Sequence, residues 1–266
     1  MQFFDPHIHV ASRTTDDLSA MALAGCVAVS EPAFWAGFDR SGIDSFRDYF
    51  RQISQWEPKR TASYGIRHYC WIGMNAKEAE NLKLSREVIA LMPEFLELPG
   101  VLGVGEIGLN KCTRNETIVL EELVDLAASR DEQILVHTPH LEDKHRGTKM
   151  ILDVLAADRR LDRSRVCIDH CEEHTLRLAL DAGYWAGITL YPTTKGTPER
   201  AVDMIEQYGA ERLLVNSSAD WGPSDPMAVP KFIAMMTQRG VKEAIARQVV
   251  YENPMTFFNQ SRNFKF

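Results

Sequence analysis

The chain has 266 residues, of which 45% are hydrophobic and 25% charged, and it carries a formal net charge of −7. That length suits one large α/β barrel and can bury a core without disulfide or metal staples. The acidic balance argues against a protein that coats nucleic acid, and no stretch approaches the length of a membrane span.

The chain opens with FFDPHIHV (3–10), an apolar run holding two histidines two residues apart. In a strand, alternation puts Asp5, His7 and His9 on one face and Phe4, Ile8 and Val10 on the other. TDDLSAMALAG (15–25) reads as a helix, with a capping residue at its start and a glycine at its end. CVAVSEP (26–32) is the second strand, and the long aromatic-rich segment 33–64 reads as a loop plus a helix. IRHYCWIGM (66–74) and VLGVGEIGL (101–109) are the third and fourth strands. In NETIVLEELVDLAASRDE (115–132), Ile118, Leu120, Leu123, Leu126 and Ala127 fall close to a helical spacing. QILVHTP (133–139), RVCIDHC (165–171), YWAGITLYP (184–192) and RLLVNSSAD (212–220) supply the last four strands. Helices over 148–161, 173–183, 197–209 and 225–240 follow them, the last starting late or kinking at Pro230. NQSRNFKF (259–266) reads as a polar tail behind a single domain spanning 1–258.

Eight strands alternating with helices predict a parallel sheet of right-handed crossovers, and eight close a (β/α)8 TIM barrel. The alternative, an open doubly wound sheet, usually has a glycine-rich turn after its first strand, and none follows here. The cysteines Cys26, Cys70, Cys112, Cys167 and Cys171 are scattered without a CxxC pair, as expected of reduced thiols in a cytoplasmic protein. No basic patch followed by an apolar stretch marks a signal peptide at the N-terminus.

Catalytic residues of such barrels sit at the C-terminal strand ends. Strand one ends with His7 and His9, strand four with Glu106, strand five with His137, strand six with His170 and strand eight with Asp220. Each has a bland alternative. Glu106 could face water, His137 and His170 could be core histidines with Asp169 turned outward, and Asp220 could cap a helix. Five strands delivering such residues to one rim favour the site. Four imidazoles and two carboxylates suit Zn²⁺, Mn²⁺ or a similar ion. His7 and His9 can hold one ion and His137 and His170 a second, with Glu106 between. Two such ions would lower the pKa of water from about 15.7 to roughly 7, on the order of 12 kcal/mol toward hydroxide. Asp220 can then be a ligand or accept the water's proton.

The motifs PHIHV, GxGEIGL, VHTP and IDHC, in this order along nearly the whole chain, resemble the TatD-like branch of the amidohydrolase superfamily. The resemblance implies a (β/α)8 barrel, hydrolase chemistry and a one- or two-metal site; two divalent ions are expected, zinc first, with manganese or magnesium as alternatives. It also implies the metal ligands His7, His9, Glu106, His137, His170 and Asp220, with Glu106 and Asp220 in catalysis. The eighth-strand motif departs from the usual Glu-Thr-Asp-like run: here it is Asn216-Ser217-Ser218-Ala219-Asp220, and an alternative alignment sets Ser218 where the aspartate belongs. After strand five, His140, Glu142 and Arg146 stand where nuclease-like members carry an arginine-containing stretch.

The family name brings a deoxyribonuclease expectation, which the acidic balance and the lack of a basic, aromatic-interleaved run argue against. Phe34, Trp35, Trp71, Tyr191 and Trp221 are rim candidates instead and suit a partly apolar small-molecule substrate. His140, Lys111, Tyr191 and Trp221 are the substrate-binding candidates, and Asp5 is a candidate to orient a ligating histidine. The reaction expected is hydrolysis of an ester, lactone, amide or phosphoester. A metal-dependent isomerase or lyase and a metal-stapled, non-catalytic barrel are the alternatives. No membrane partner is expected, and a homo-oligomer is left open.

Overall fold

A computed structural model of the chain describes residues 1–140 and 143–266. Eight parallel strands form one sheet in sequential order: β1 (Phe3–Asp5), β2 (Cys26–Glu31), β3 (Arg67–Ile72), β4 (Val101–Gly108), β5 (Gln133–His137), β6 (Val166–Cys171), β7 (Trp185–Thr189) and β8 (Leu213–Asn216). The sheet closes at its rim, where Ser218 N donates to His7 O (2.7 Å) and His9 N to Ala219 O (2.9 Å). The protein is a (β/α)8 barrel.

Alternation along the strands separates two cores. Phe4, Ala28, Tyr69, Trp71, Leu102, Leu135, Cys167, Trp185 and Leu214, one or more from each strand, fill the barrel interior. The opposite faces, with Phe3, Val29, Val104, Ile134 and Ile168, meet the surrounding helices. β4 carries Gly103 and Gly105 because its neighbour lies too close for a side chain: a Cβ at Gly103 would stand 2.3 Å from Gln133 O.

All the strand runs read from sequence except the sixth, which ends with β6 at Cys171, overshoot at their C-terminal ends, most of all in β1 and β8. Residues 3–10 form strand only to Asp5, after which Pro6 and His7 bend the chain. The bend breaks the alternation. Phe4 lies inside the barrel, while Phe3, Ile8 and Val10 join the outer core.

The helices that follow β1 and β4 are α1 (Thr15–Leu23) and α6 (Arg114–Arg130). A capping box at Thr14 and Asp17 starts α1. Segment 33–64 forms two helices, α2 (Ile43–Arg51) and α3 (Glu57–Ala62), joined by a π-helical turn. The stretch before β4, unassigned from sequence, forms α4 (Leu82–Leu91) and α5 (Pro93–Leu96), with Asn81 accepting from Leu84 N at the start. α7 (Lys144–Ala157), α8 (Leu176–Asp181), α9 (Pro198–Tyr208) and α10 (Ala228–Gln238) follow β5 to β8. Pro230 stands in the first turn of α10, where its missing N–H costs nothing.

α11 (Glu243–Arg247) and α12 (Asn253–Phe258) lead to the floor of the barrel. Residues 259–266 are not loose. Phe264 joins Phe257 and Phe258 beneath Phe4 and Tyr69, and Asn263 bonds Leu96 O and Val101 O. Trp71, a rim candidate from sequence, also lies in this interior, its Nε1 donating to Ser30 Oγ at 2.6 Å. Among the described residues, no helix is long and apolar enough to cross a membrane.

Candidate metal centre

The histidines and the carboxylate expected at the rim converge. His7 Nε2 stands 3.1 Å from His9 Nε2 and 3.3 Å from Glu106 Oε2. On the other side of the same carboxylate, Glu106 Oε1 touches His137 Nδ1 and lies 3.7 Å from His170 Nε2. All five side chains are buried. Among the described residues, three overlapping groups could each hold an ion, with ligand atoms within 4.8 Å of one another: His7, His9 and Glu106; Glu106, His137 and His170; and His7, Asp169 and His170. Among the described residues, His9 Nδ1 and His137 Nε2 are buried without a hydrogen-bond partner. Convergent imidazoles with unspent nitrogens around one carboxylate fit a divalent cation.

Neighbouring groups aim these ligands. Asp169 Oδ2 meets His7 Nδ1 at 2.5 Å, and Thr189 Oγ1 meets His170 Nδ1 at 2.7 Å, which leaves Nε2 of each ring toward Glu106. Asp169 Oδ1 accepts from His170 N (2.7 Å) and Asn216 Nδ2 (2.9 Å). Gly187 makes room for it, since a Cβ there would stand 2.0 Å from Asp169 Oδ1.

Asp169 is therefore not outward. Alternation would send Asp169 and His170 to opposite faces, but His170 has φ of 58° and turns both inward. That left-handed backbone is held from below by Lys144, a fully buried lysine. Its Nζ donates to His170 O (2.7 Å) and Thr138 Oγ1 (2.9 Å). Burial pushes the Lys144 ammonium down to about 8.

Three of the four imidazoles are in the form that suits metal binding, and the fourth, His7, would have to give up a proton to a bound cation. Burial is the largest influence on His9, His137 and His170 and keeps all three below the ordinary imidazole range, in the neutral form that ligates. Burial also opposes charge on Glu106 and Asp169. The imidazoles around them outweigh it, and both carboxyls are held well below their usual range. For His7, burial is outweighed by Asp169 and Glu106, which raise it to about 9.

The remaining sequence candidates fall in different places. Asp220 lines the rim cavity but joins none of the ligand groups; its Oδ1 accepts from Tyr191 Oη (3.1 Å) and Gly222 N (2.7 Å). Ser218, with φ of 43°, sits beside His7 at the level of the ligands. His140 and Tyr191 line the cavity, and His140 lies edge-on to His137. Trp221 packs on Phe34, which stacks on His9 with ring centroids 3.7 Å apart. Lys111 is exposed and outside the cavity, because Glu116 gathers the amides of Asn110, Lys111 and Cys112 into the turn before α6. Asp5 does not reach an imidazole ring. Its Oδ1 ties the amides of His7 and Ser217 together, and Asp169 takes the orienting position instead. Glu142 lies outside the described residues.

The sequence pattern does not single out Asp169, Thr189, Lys144 or Lys195. Only Asp169, beside His170 in IDHC, offered a signal, and strand alternation pointed it the wrong way.

Barrel and rim together define a class, the metal-dependent hydrolases. The chain belongs to the family described as TatD related DNase, which it matches over residues 4–259. It is 29% identical over 256 residues to an uncharacterized metal-dependent hydrolase of Methanocaldococcus jannaschii, covering 96% of this chain and 98% of that protein. Among solved structures it resembles a TatD-like protein from Archaeoglobus fulgidus, with TM-score 0.78, 23% identity, and coverage of 97% and 100% of the two chains. It also resembles the phosphotriesterase homology protein of Escherichia coli, with TM-score 0.72, 16% identity, and coverage of 97% and 98%.

Proposed function

We propose that this protein hydrolyses an ester, lactone, amide or phosphoester bond of a small molecule, using two divalent ions held by His7, His9, Glu106, His137 and His170. The carrying observation is that the two oxygens of Glu106 address different histidines, Oε2 toward His7, whose Nε2 meets that of His9, and Oε1 toward His137 and His170. The imidazole-rich donor set favours zinc, with manganese or magnesium as alternatives. Bound there, such ions polarise the scissile bond and acidify water.

The chain's own residues do the rest. Asp169 and Thr189 hold His7 and His170 in the tautomer that presents Nε2. Asp220, whose Oδ1 is engaged, keeps Oδ2 available to accept a proton. His140 and Tyr191 border the cavity of about 170 Å³ in which the reacting group would sit. Phe34, Trp35 and Trp221 wall an adjoining hollow of about 190 Å³ that suits an apolar substituent. The Escherichia coli relative is described with phosphate in its active site, which is compatible with a phosphoester substrate. A deoxyribonuclease, the activity in the family's description, would need a cationic track for a strand. Among the described residues, Lys77 and Lys195 are the only lysines or arginines lining the cavity. The five free, buried cysteines support a reducing compartment such as the cytoplasm.

Elemental analysis of the purified protein and of the His7→Ala/His9→Ala double variant tests this reading, followed by an ester, lactone, amide and phosphoester panel with single-stranded DNA included. About two equivalents of metal, fewer in the variant, and turnover of a small ester are expected. A wild-type protein that takes up no metal after reconstitution would refute it.

A further inference from the structure

We infer that Lys195 is a substrate-binding residue, and that the substrate carries a terminal anionic group, a phosphomonoester or a carboxylate, which this ammonium receives beside the metal ligands. The inference deepens the hydrolase reading and rests on it for the word substrate.

The eighth strand brings no carboxylate to the ligand groups. Ser218 stands at that level, its N–H on His7 O, while Asp220 is held by Tyr191 and Gly222. Into this place comes a cation from the loop after β7. Lys195 Nζ donates to Ser218 Oγ at 3.2 Å and lies 5.0 Å from the centroid of the Tyr191 ring. Among the described residues, no carboxylate oxygen lies within the 4.0 Å of an ion pair with it. An ammonium with one hydroxyl and one aromatic face has donors to spare.

The loop is built to hold it there. Lys195 N donates to Tyr191 O (2.8 Å) and Thr194 N to the same oxygen (3.2 Å), closing a tight turn. Arg200 bonds Lys195 O from outside and is itself clamped by Glu173 at 2.7 and 2.6 Å. The lysine is preorganised rather than trailing from a free loop.

Charge completes the argument. Lys195 and Lys77 line the cavity with two carboxylates, Glu106 and Asp220, and Glu106 is already committed to the imidazoles. Any divalent ion added leaves the cavity positive. A neutral substrate would leave the half-buried Lys195 ammonium in a cationic site with only Glu106, Asp169 and Asp220, none within ion-pair distance, to offset it, whereas an anionic group received by Lys195 would offset both charges. Burial, the largest influence, already lowers the Lys195 ammonium below the ordinary lysine range.

The test is calorimetric titration of metal-loaded protein with inorganic phosphate and, separately, with succinate. It compares wild type, Lys195→Met and Lys195→Arg, with metal content measured on each. We expect one of the two anions to bind wild type, at least tenfold more weakly to Lys195→Met, with Lys195→Arg within about threefold of wild type and metal content equal in all three. Phosphate binding assigns a phosphomonoester and succinate binding a carboxylate. Equal affinity in Lys195→Met, or no anion bound by wild type, overturns the inference. Binding is read without turnover, so a protein that binds the anion through Lys195 yet hydrolyses nothing would sink the hydrolase reading alone.

Discussion

Replacing Asp169 by asparagine should weaken metal binding without unfolding the barrel. The amide has nearly the same volume, and an amide oxygen at the Oδ1 position keeps the bonds from His170 N at 2.7 Å and Asn216 Nδ2 at 2.9 Å. Its nitrogen then faces His7 Nδ1, where the carboxylate oxygen stood 2.5 Å away. Two donors cannot share that contact, so the His7 proton moves to Nε2, the nitrogen directed at Glu106. The lone pair a cation needs is lost from that position unless the tautomer is forced back. Partners of this kind are worth about 10–100-fold in metal affinity, or roughly 1.4–2.7 kcal/mol. The assay is competitive zinc titration against a chromophoric chelator, with circular dichroism and thermal midpoints to show that the fold persists. An affinity within about twofold of wild type, in a folded variant, would mean that Asp169 does not orient His7.

Three further outcomes follow from the same geometry. Gly187→Ala pushes a methyl to 2.0 Å from Asp169 Oδ1, so thermal unfolding should reveal a loss of about 1–3 kcal/mol together with weaker zinc binding; an unperturbed midpoint and affinity would contradict the contact. In chelated protein, His7 is raised from 6.5 to about 9 and its pairing with Asp169 and Glu106 stabilises the fold. That contribution, on the order of 3 kcal/mol, is complete below about pH 6.5 and fades as pH rises through about 9. Urea unfolding of chelated protein across that window should show the loss, while metal affinity climbs with pH because binding displaces the proton; a flat profile would rule out a charged His7. Phe264→Ala should cost about 3–5 kcal/mol, because the ring fills the barrel floor against Phe4, Tyr69 and Phe258. A cost near zero in urea unfolding would return residues 259–266 to the status of a tail.

Much was legible in the one-dimensional pattern. Runs of strand period alternating with runs of helix period determine a parallel sheet covered by helices on both faces, and the count of eight with no glycine-rich turn after the first strand favours closure into a barrel over an open doubly wound sheet. Residue type at strand ends pointed to His7, His9, Glu106, His137 and His170 as candidate ligands, and these side chains do converge, since parallel strands deliver all their C-terminal ends to one rim. The structure alone decided what breaks those periods. The bend at Pro6 and His7 returns two imidazoles to the interior after Phe4 has already pointed there. The left-handed backbone at His170 brings Asp169 and His170 to the same side, against the alternation from which an outward Asp169 was read. Lys195 follows β7 and Ser218 follows β8, and nothing in the loop distinguishes Lys195 from a solvated lysine until those two strands pair and bring the side chains together. Periodicity reports regular backbone, whereas the site is assembled where regular backbone stops. There, local dihedrals and contacts between distant segments set direction, and neither is written in the spacing of residues.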